Sequence, residues 1–301
     1  MLKRTLLFSN PYHISTKLKQ LVIADKNTGE IKQAVIEDLG FVVFDHREIT
    51  FTQSVMQLLA ENNVAVIFCD ERHHPGSMLF HLDTNQVQNE RFRAQVAASE
   101  PLKKQLWQQT VKAKIRNQAA MLKHIGQEYE DLIYLSKQVK SGDIDNAEAQ
   151  ASRRYWPKLF GSNFLRDRFG MPPNPSLNYG YSILRAATAR ALCGSGLLPT
   201  LGIHHHNKYN AYCLADDIME PYRPFVDLLV FEQKTANDDY HNITTERKAE
   251  FLKLLASDVI IPSGQNNTSP LMVALSQSTA SLAKCFEGED EKIKYPELPF
   301  L

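Results

Sequence analysis

Cysteine is scarce in this chain of 301 residues, and its four copies, Cys69, Cys193, Cys213 and Cys285, never form a C-x-x-C pair. That spacing argues against a disulfide framework or a zinc finger and leaves buried, reduced thiols as the expectation. Long apolar runs are missing too. None approaches the roughly 18 residues of a membrane span, and residues 5–8, which follow Lys3 and Arg4, are too short for a signal h-region. A reducing cytoplasm with no membrane partner is the expected setting. Nucleotide-binding signatures are also absent: Gly194-Ser195-Gly196 lacks the Lys-Ser/Thr and the preceding strand of a phosphate loop, so it reads as a helix stop. This argues against direct coupling to ATP or NAD. Net charge is the last absence, with 34 Lys+Arg against 34 Asp+Glu.

What is present is a soluble, globular chain with 43% hydrophobic residues, long enough for one large or two ordinary domains. Short apolar stretches at 5–8, 21–24, 41–44 and 64–68, separated by turn signals such as Asn27-Thr28-Gly29, predict strands. One helix over 53–63 interrupts them, with Thr52 as its cap and Val55, Leu58 and Leu59 on one face. From Pro101 the period becomes helical. Further helices are expected over 145–159, 176–193, 207–220, 245–257 and 269–286, the last opening with Ser269 and Pro270 as N-cap and N1. The fold class is therefore α+β: a β-rich domain over 1–88, a linker over 89–100 and a larger all-α domain over 101–301.

Divided by segment, the charge is uneven. Residues 101–168 hold 13 Lys+Arg and 7 Asp+Glu, whereas 214–301 hold 8 and 15. The basic run includes Lys103, Lys104, Lys112, Lys114, Arg116, Arg153 and Arg154, with Trp107, Tyr155 and Trp156 among them. Cations interleaved with aromatics can track a phosphate backbone, although solvated helix faces give the same pattern.

Residues 202–224 carry the most unusual chemistry. His204, His205 and His206 precede three acids within one predicted helix, where Glu220 shares a face with Asp216 or Asp217. Converging carboxylates repel unless a cation sits between them, and a nearby imidazole completes an N/O site suited to Mn²⁺ or Mg²⁺. The competing reading is a surface histidine cluster before a solvated acidic helix. Glu148 is the second candidate. Asp145-x-x-Glu148 has capping-box spacing, yet Ala147, Ala149 and Ala151 allow close approach and Arg153 and Arg154 follow, an arrangement that suits a metal meeting a phosphodiester. In the stretch 178–190, Asn178, Arg185 and Arg190 stand out from an otherwise apolar stripe, as phosphate contacts or as buried hydrogen-bonding groups.

Taken in order, the Glu148 segment through Tyr155-Trp156, the Asn178-Tyr179-Gly180-Tyr181 helix, residues 202–205 and residues 214–224 closely resemble the CRISPR-associated endonuclease and integrase subunit of spacer acquisition, particularly its type II forms. The resemblance spans nearly the whole chain. It implies an N-terminal β-sandwich involved in dimerisation and DNA contact, a helical catalytic domain, and a homodimer that works with a small ferredoxin-like adaptation subunit, with other type II CRISPR proteins as further partners. In the family a Glu, a His and an acid bind one divalent metal, which corresponds to Glu148, His205 and Glu220 here. His205 is singled out among the three histidines because the family's ligand lies three residues after the glycine, here Gly202. Asp217 matches a further acid of the site and is a weaker ligand candidate. Many relatives have Asp where this chain has Glu220.

The implied reaction is attack by the 3′-hydroxyls of a short double-stranded DNA fragment on phosphodiesters at the repeat borders of a CRISPR array. Arg153, Arg154, Asn178 and Arg185 are the expected DNA contacts. A metal-ligating His205 must be neutral, so activity is expected to weaken in acid. Two other readings stand beside this one: a DNA-binding scaffold with a vestigial metal site, and an unrelated hydrolase of small phosphoesters.

Overall fold

The computed structural model describes residues 3–71, 73, 75–79, 85–236, 243–262 and 267–300. Its first part is built from β1 (Arg4–Phe8), β2 (Tyr12–Lys17), β3 (Gln20–Asp25), β4 (Ile31–Val35), β5 (Leu39–Phe44), β6 (Thr50–Phe51), α1 (Gln53–Glu61), β7 (Ala65–Cys69) and β8 (Pro75–Leu79). Two four-stranded sheets result, one ordered β1-β5-β7-β8 and the other β4-β3-β2-β6. In the first, β1, β5 and β7 run parallel and β8 antiparallel; in the second, β2, β3 and β4 form an antiparallel meander.

Every residue of β5 is buried, as expected of a central parallel strand covered on both faces. Val42, Phe44 and Val66 point into a core shared with Ile14, Leu21, Val55 and Leu59. Phe41, Val43, Ala65 and Ile67, on the opposite face, belong to the core of the helical part. Periodicity does not predict β2, β4, β6 or β8; of these, β2 and β4 each bury a single residue, Ile14 and Ala34. Their polar composition conceals the alternation.

The second part comprises α2 (Gln88–Ala97), α3 (Glu100–His124), α4 (Glu130–Gln138), α5 (Ala147–Phe160), α6 (Asn174–Gly194), α7 (Cys213–Met219), α8 (Arg223–Ala236), α9 (Thr245–Leu254), β9 (Asp258–Ile261), β10 (Asn267–Pro270) and α10 (Leu271–Glu287). Helix α3 is the central shaft. Ser99 caps it by accepting from the Leu102 N–H, and its buried face carries Leu106, Trp107, Val111, Lys114, Ile115 and Asn117. Asn117 donates to the carbonyls of Pro221 and Pro296 and accepts from the Leu298 N–H, which fixes the turn after α7 against the shaft. Helix α6 crosses α8 and α9 at Gly180, where a Cβ would lie 2.5 Å from Val226 Cγ1 and 2.7 Å from Phe251.

Three expectations are corrected. Most of the 89–100 linker is α2, docked by Arg91 to Glu287 and Ser195 and by the Gln95 amide, which bonds to the backbone of Leu198 and Leu201. The C-terminal part is not all-α, because β9 and β10 pair as a hairpin; Ser269 lies in β10, and α10 starts at Leu271. The helix expected over 207–220 begins only at Cys213. Before it, the Asn207 and Asn210 side chains accept from the backbone of Tyr209 and Tyr212, holding a turn instead.

Candidate metal centre

Glu148 sits in the first turn of α5. The capping box inferred from Asp145 is not formed: Asn146, in a left-handed conformation, is the N-cap and accepts from the Ala149 N–H, while Asp143 accepts from Ala147 and Glu148. The Glu148 carboxylate is thus left free of the helix start. Its Oε1 takes a 2.6 Å bond from Lys114 Nζ, reaching across from α3.

His205 is placed by a buried carboxylate. Asp217 on α7 is fully buried and accepts from the backbone N–H groups of Ile203, His204 and His205. His205 Nδ1 lies 2.5 Å from Asp217 Oδ1. A donating Nδ1–H fixes the ring and leaves Nε2 as the acceptor, the usual support for a metal-ligating histidine. The Asp217 bond outweighs burial and raises the His205 pKa above its ordinary value. Gly202 makes the loop possible, because a Cβ there would lie 2.3 Å from the His205 carbonyl and 2.8 Å from Asp217 Oδ2. Protein donors occupy both oxygens of Asp217, the weaker ligand candidate, and its bond to Nδ1 orients His205. The neighbouring histidines do other things. His204 stacks flat on Trp107, with ring centroids 4.1 Å apart, and burial lowers its pKa; His206 is exposed.

Glu220 follows α7 and is 3% exposed. Arg223 lies 2.8 Å from its Oε1, and Lys114 Nζ lies 2.5 Å from its Oε2. The second contact is a close ion pair, and no donor other than the Lys114 ammonium is directed at the buried Glu220 Oε2. Burial alone would raise the Glu220 pKa, but Arg223 and Lys114 outweigh it and hold the carboxyl below its ordinary value. Lys114 is in turn kept charged: burial opposes the ammonium, and Glu220 and Glu148 more than compensate. With Lys114 between two of the acids, no three His, Cys, Asp or Glu side chains among the described residues are grouped around one point as ion ligands. The donors nevertheless suit a hard divalent ion: two carboxylates and an imidazole nitrogen with no hydrogen-bond partner among the described residues.

A second buried carboxylate braces this region. Asp227 on α8 accepts from the hydroxyls of Tyr155 on α5 and Tyr181 on α6, tying three helices together. Arg223 lies over the face of Tyr181, 4.6 Å from its centroid, with Arg166 at 5.3 Å. Neither Lys114 nor this brace was singled out from sequence. The available signal was position: Lys114 follows Trp107 and Val111 on the buried stripe of α3.

The expected DNA contacts separate. Arg153 and Arg154 are exposed on α5, Arg154 lying 3.6 Å from Asp131. Arg185 is instead bidentate to Asp216, at 2.6 and 3.2 Å, so neither is a free surface charge. Asn178 accepts from Arg166 and donates to the Arg168 carbonyl, which makes it a brace for that loop.

A family model described as CRISPR associated protein Cas1 matches residues 6–250. The chain is similar to the CRISPR-associated endonuclease Cas1 of Neisseria meningitidis serogroup C, 34% identical over 298 residues, which cover 98% of this chain and 96% of the relative. Among solved structures, a casposase bound to integration product superposes with TM-score 0.80 at 20% identity, over 100% of this chain and 94% of the casposase. A chain of a Cas6-RT-Cas1–Cas2 complex gives 0.71 at 20% identity, over 96% of this chain and 35% of that longer one. Those two likenesses concern the fold alone. The family match, together with a relative one-third identical along nearly the whole length, means that the chain belongs to the Cas1 family of CRISPR-associated proteins.

Proposed function

We propose that the protein is a metal-dependent DNA nuclease and integrase that inserts short fragments into a CRISPR array, in a type II setting and in the cytoplasm. The observation that carries the proposal is the pairing of Glu148 and Glu220, from separate elements, across the Lys114 ammonium, with an Asp217-oriented His205 near enough to feel both carboxylates. Glu148, His205 Nε2 and Glu220 would hold a Mg²⁺ or Mn²⁺ ion. When bound there, such an ion would supply polarisation of a phosphoryl oxygen and stabilisation of a departing 3′-oxygen, worth several kcal/mol of barrier.

The chain's own residues perform the remaining tasks. Asp217 keeps the imidazole in one tautomer and one orientation. Arg223, held over Tyr181, supplies positive charge beside Glu220. Exposed Arg153 and Arg154 hold the DNA backbone and select no sequence. In strand transfer a fragment's 3′-hydroxyl forms a new P–O bond as the repeat-border strand gives up its 3′-oxygen. One phosphodiester replaces another, so no nucleotide hydrolysis is required.

The solved relatives extend the proposal to partners: one is bound to its integration product and another is part of a complex with Cas2. The protein would act on double-stranded DNA as a homodimer, with a small ferredoxin-like adaptation subunit and other type II CRISPR proteins as partners. A second reading, a DNA-binding scaffold with a vestigial metal site, is favoured by one observation, the Lys114 ammonium lying between the acids. One assay separates the two: transfer of a 3′-hydroxyl oligonucleotide into supercoiled plasmid, with Mn²⁺ or chelator. Product from the wild type with Mn²⁺, and none from His205→Ala or with chelator, supports the integrase. Equal product from His205→Ala, or none from the wild type, overturns it.

A further inference from the structure

Lys114 is a cation built into a place where the proposed reading needs another one. Its Nζ bonds Glu148 Oε1 and pairs with Glu220 Oε2, and the residue is only 7% exposed. Glu148 has no other cationic partner among the described residues. Arg223 differs in each respect: it takes the opposite oxygen of Glu220, its planar head lies over Tyr181, and it forms no ion pair with Glu148. An ion shared by Glu148 and Glu220 would take the oxygens that Lys114 now holds. Ammonium and ion therefore compete for the same positions.

Charge favours exchange over coexistence. Two carboxylates already face two cations, so adding a divalent ion would leave two uncompensated positive charges in a buried place. Releasing Lys114 halves that excess, and its stem of four methylenes lets the head move without moving α3. The rigid, stacked Arg223 has no such freedom.

We propose that Lys114 is a resident cation that holds the Glu148–Glu220 pair together in the metal-free protein and is exchanged for the divalent ion on loading. The inference rests on the metal-site reading above. It makes Lys114 a positioning residue for the Glu148–Glu220 pair and a competitor that sets the affinity for the ion.

The test uses the full chain as wild type, Lys114→Met and Glu220→Gln. Amine acylation read by mass spectrometry follows Lys114 with and without Mn²⁺, and calorimetry measures Mn²⁺ binding. In the wild type, Mn²⁺ is expected to raise acylation of Lys114 about fivefold or more, and Glu220→Gln is expected to lose Mn²⁺ binding. Lys114→Met is expected to bind Mn²⁺ about tenfold more tightly than wild type and to melt lower in chelator. A wild type that binds Mn²⁺ while Lys114 stays equally protected overturns this inference alone, whether or not Lys114→Met folds. A wild type that binds no Mn²⁺ overturns the metal site and the inference together.

Discussion

Glu220 and Asp227 stand on one run of helical residues, both buried, at 3% and 1% exposure. Their surroundings treat charge in opposite ways. Glu220 faces Lys114 and Arg223, which hold its carboxyl ionised. Asp227 is bonded by two phenols, and burial pushes its pKa up to about 6 despite the hydrogen bonds from Tyr181 and Tyr155 and the charges of Arg223 and Arg166. Cations that neutralise a carboxylate can be exchanged for another cation, whereas phenols only bond it in place. The first environment leaves an acid available for chemistry, and the second uses an acid as a fastener between helices.

The largest effects are expected at Glu148, His205 and Glu220. Glu148→Ala, His205→Ala and Glu220→Ala should each lower strand transfer on the order of 10³-fold, measured as single-turnover integration in Mn²⁺. A loss of only a few-fold would put Glu220 in the same class as Asp227. Asp227→Asn should act on stability and its pH dependence. The Asp227 pKa is higher in the folded chain than its ordinary value of 3.8, so the folded state holds the proton more tightly. The resulting stabilisation is full below about pH 4, declines as pH rises and is gone above about pH 6, an effect on the order of 3 kcal/mol. Melting curves of Asp227→Asn should lack this component, and an unchanged pH profile between 4 and 6 would refute the assignment.

Two smaller effects sharpen the contrast. Tyr181→Phe removes one hydrogen bond to Asp227 but keeps the ring under Arg223, so urea unfolding should show a loss of about 1 kcal/mol. A greater loss of integration than of stability would instead connect the phenol to the chemistry. Least of all, Arg153→Ala should reduce the slope of log affinity against log salt by about 0.9 for DNA binding. Arg185→Ala, whose charge is already matched by Asp216, should leave that slope nearly unchanged.

What could be read in the sequence follows from how local each signal is. In the first part, β1, β3, β5 and β7 show as apolar runs, whereas the more polar or shorter β2, β4, β6 and β8 do not. The helix around Glu148 was legible, but its cap was not. Asp143 and Asn146 took the positions offered to Asp145 because the left-handed Asn146 shifts the helix start by one residue. The role of Asp217 depends on three N–H groups of a distant loop, and no spacing rule encodes that. Lys114 was counted with the phosphate-tracking cations because charge tallies ignore which side of a helix a residue occupies. Its place on the stripe of Trp107 and Val111 was the local clue that it lies inside.

The two-sided burial of β5 limits how this protein can be divided. Phe41, Val43, Ala65 and Ile67 pack into the helical core while their alternates fill the core between the sheets. A graft of the strands of one relative onto the helices of another would therefore bring together two surfaces that were never fitted to each other. Chimeras should succeed only when these four residues travel with the helices they touch, so the chain is better regarded as three layers sharing one sheet than as two portable modules.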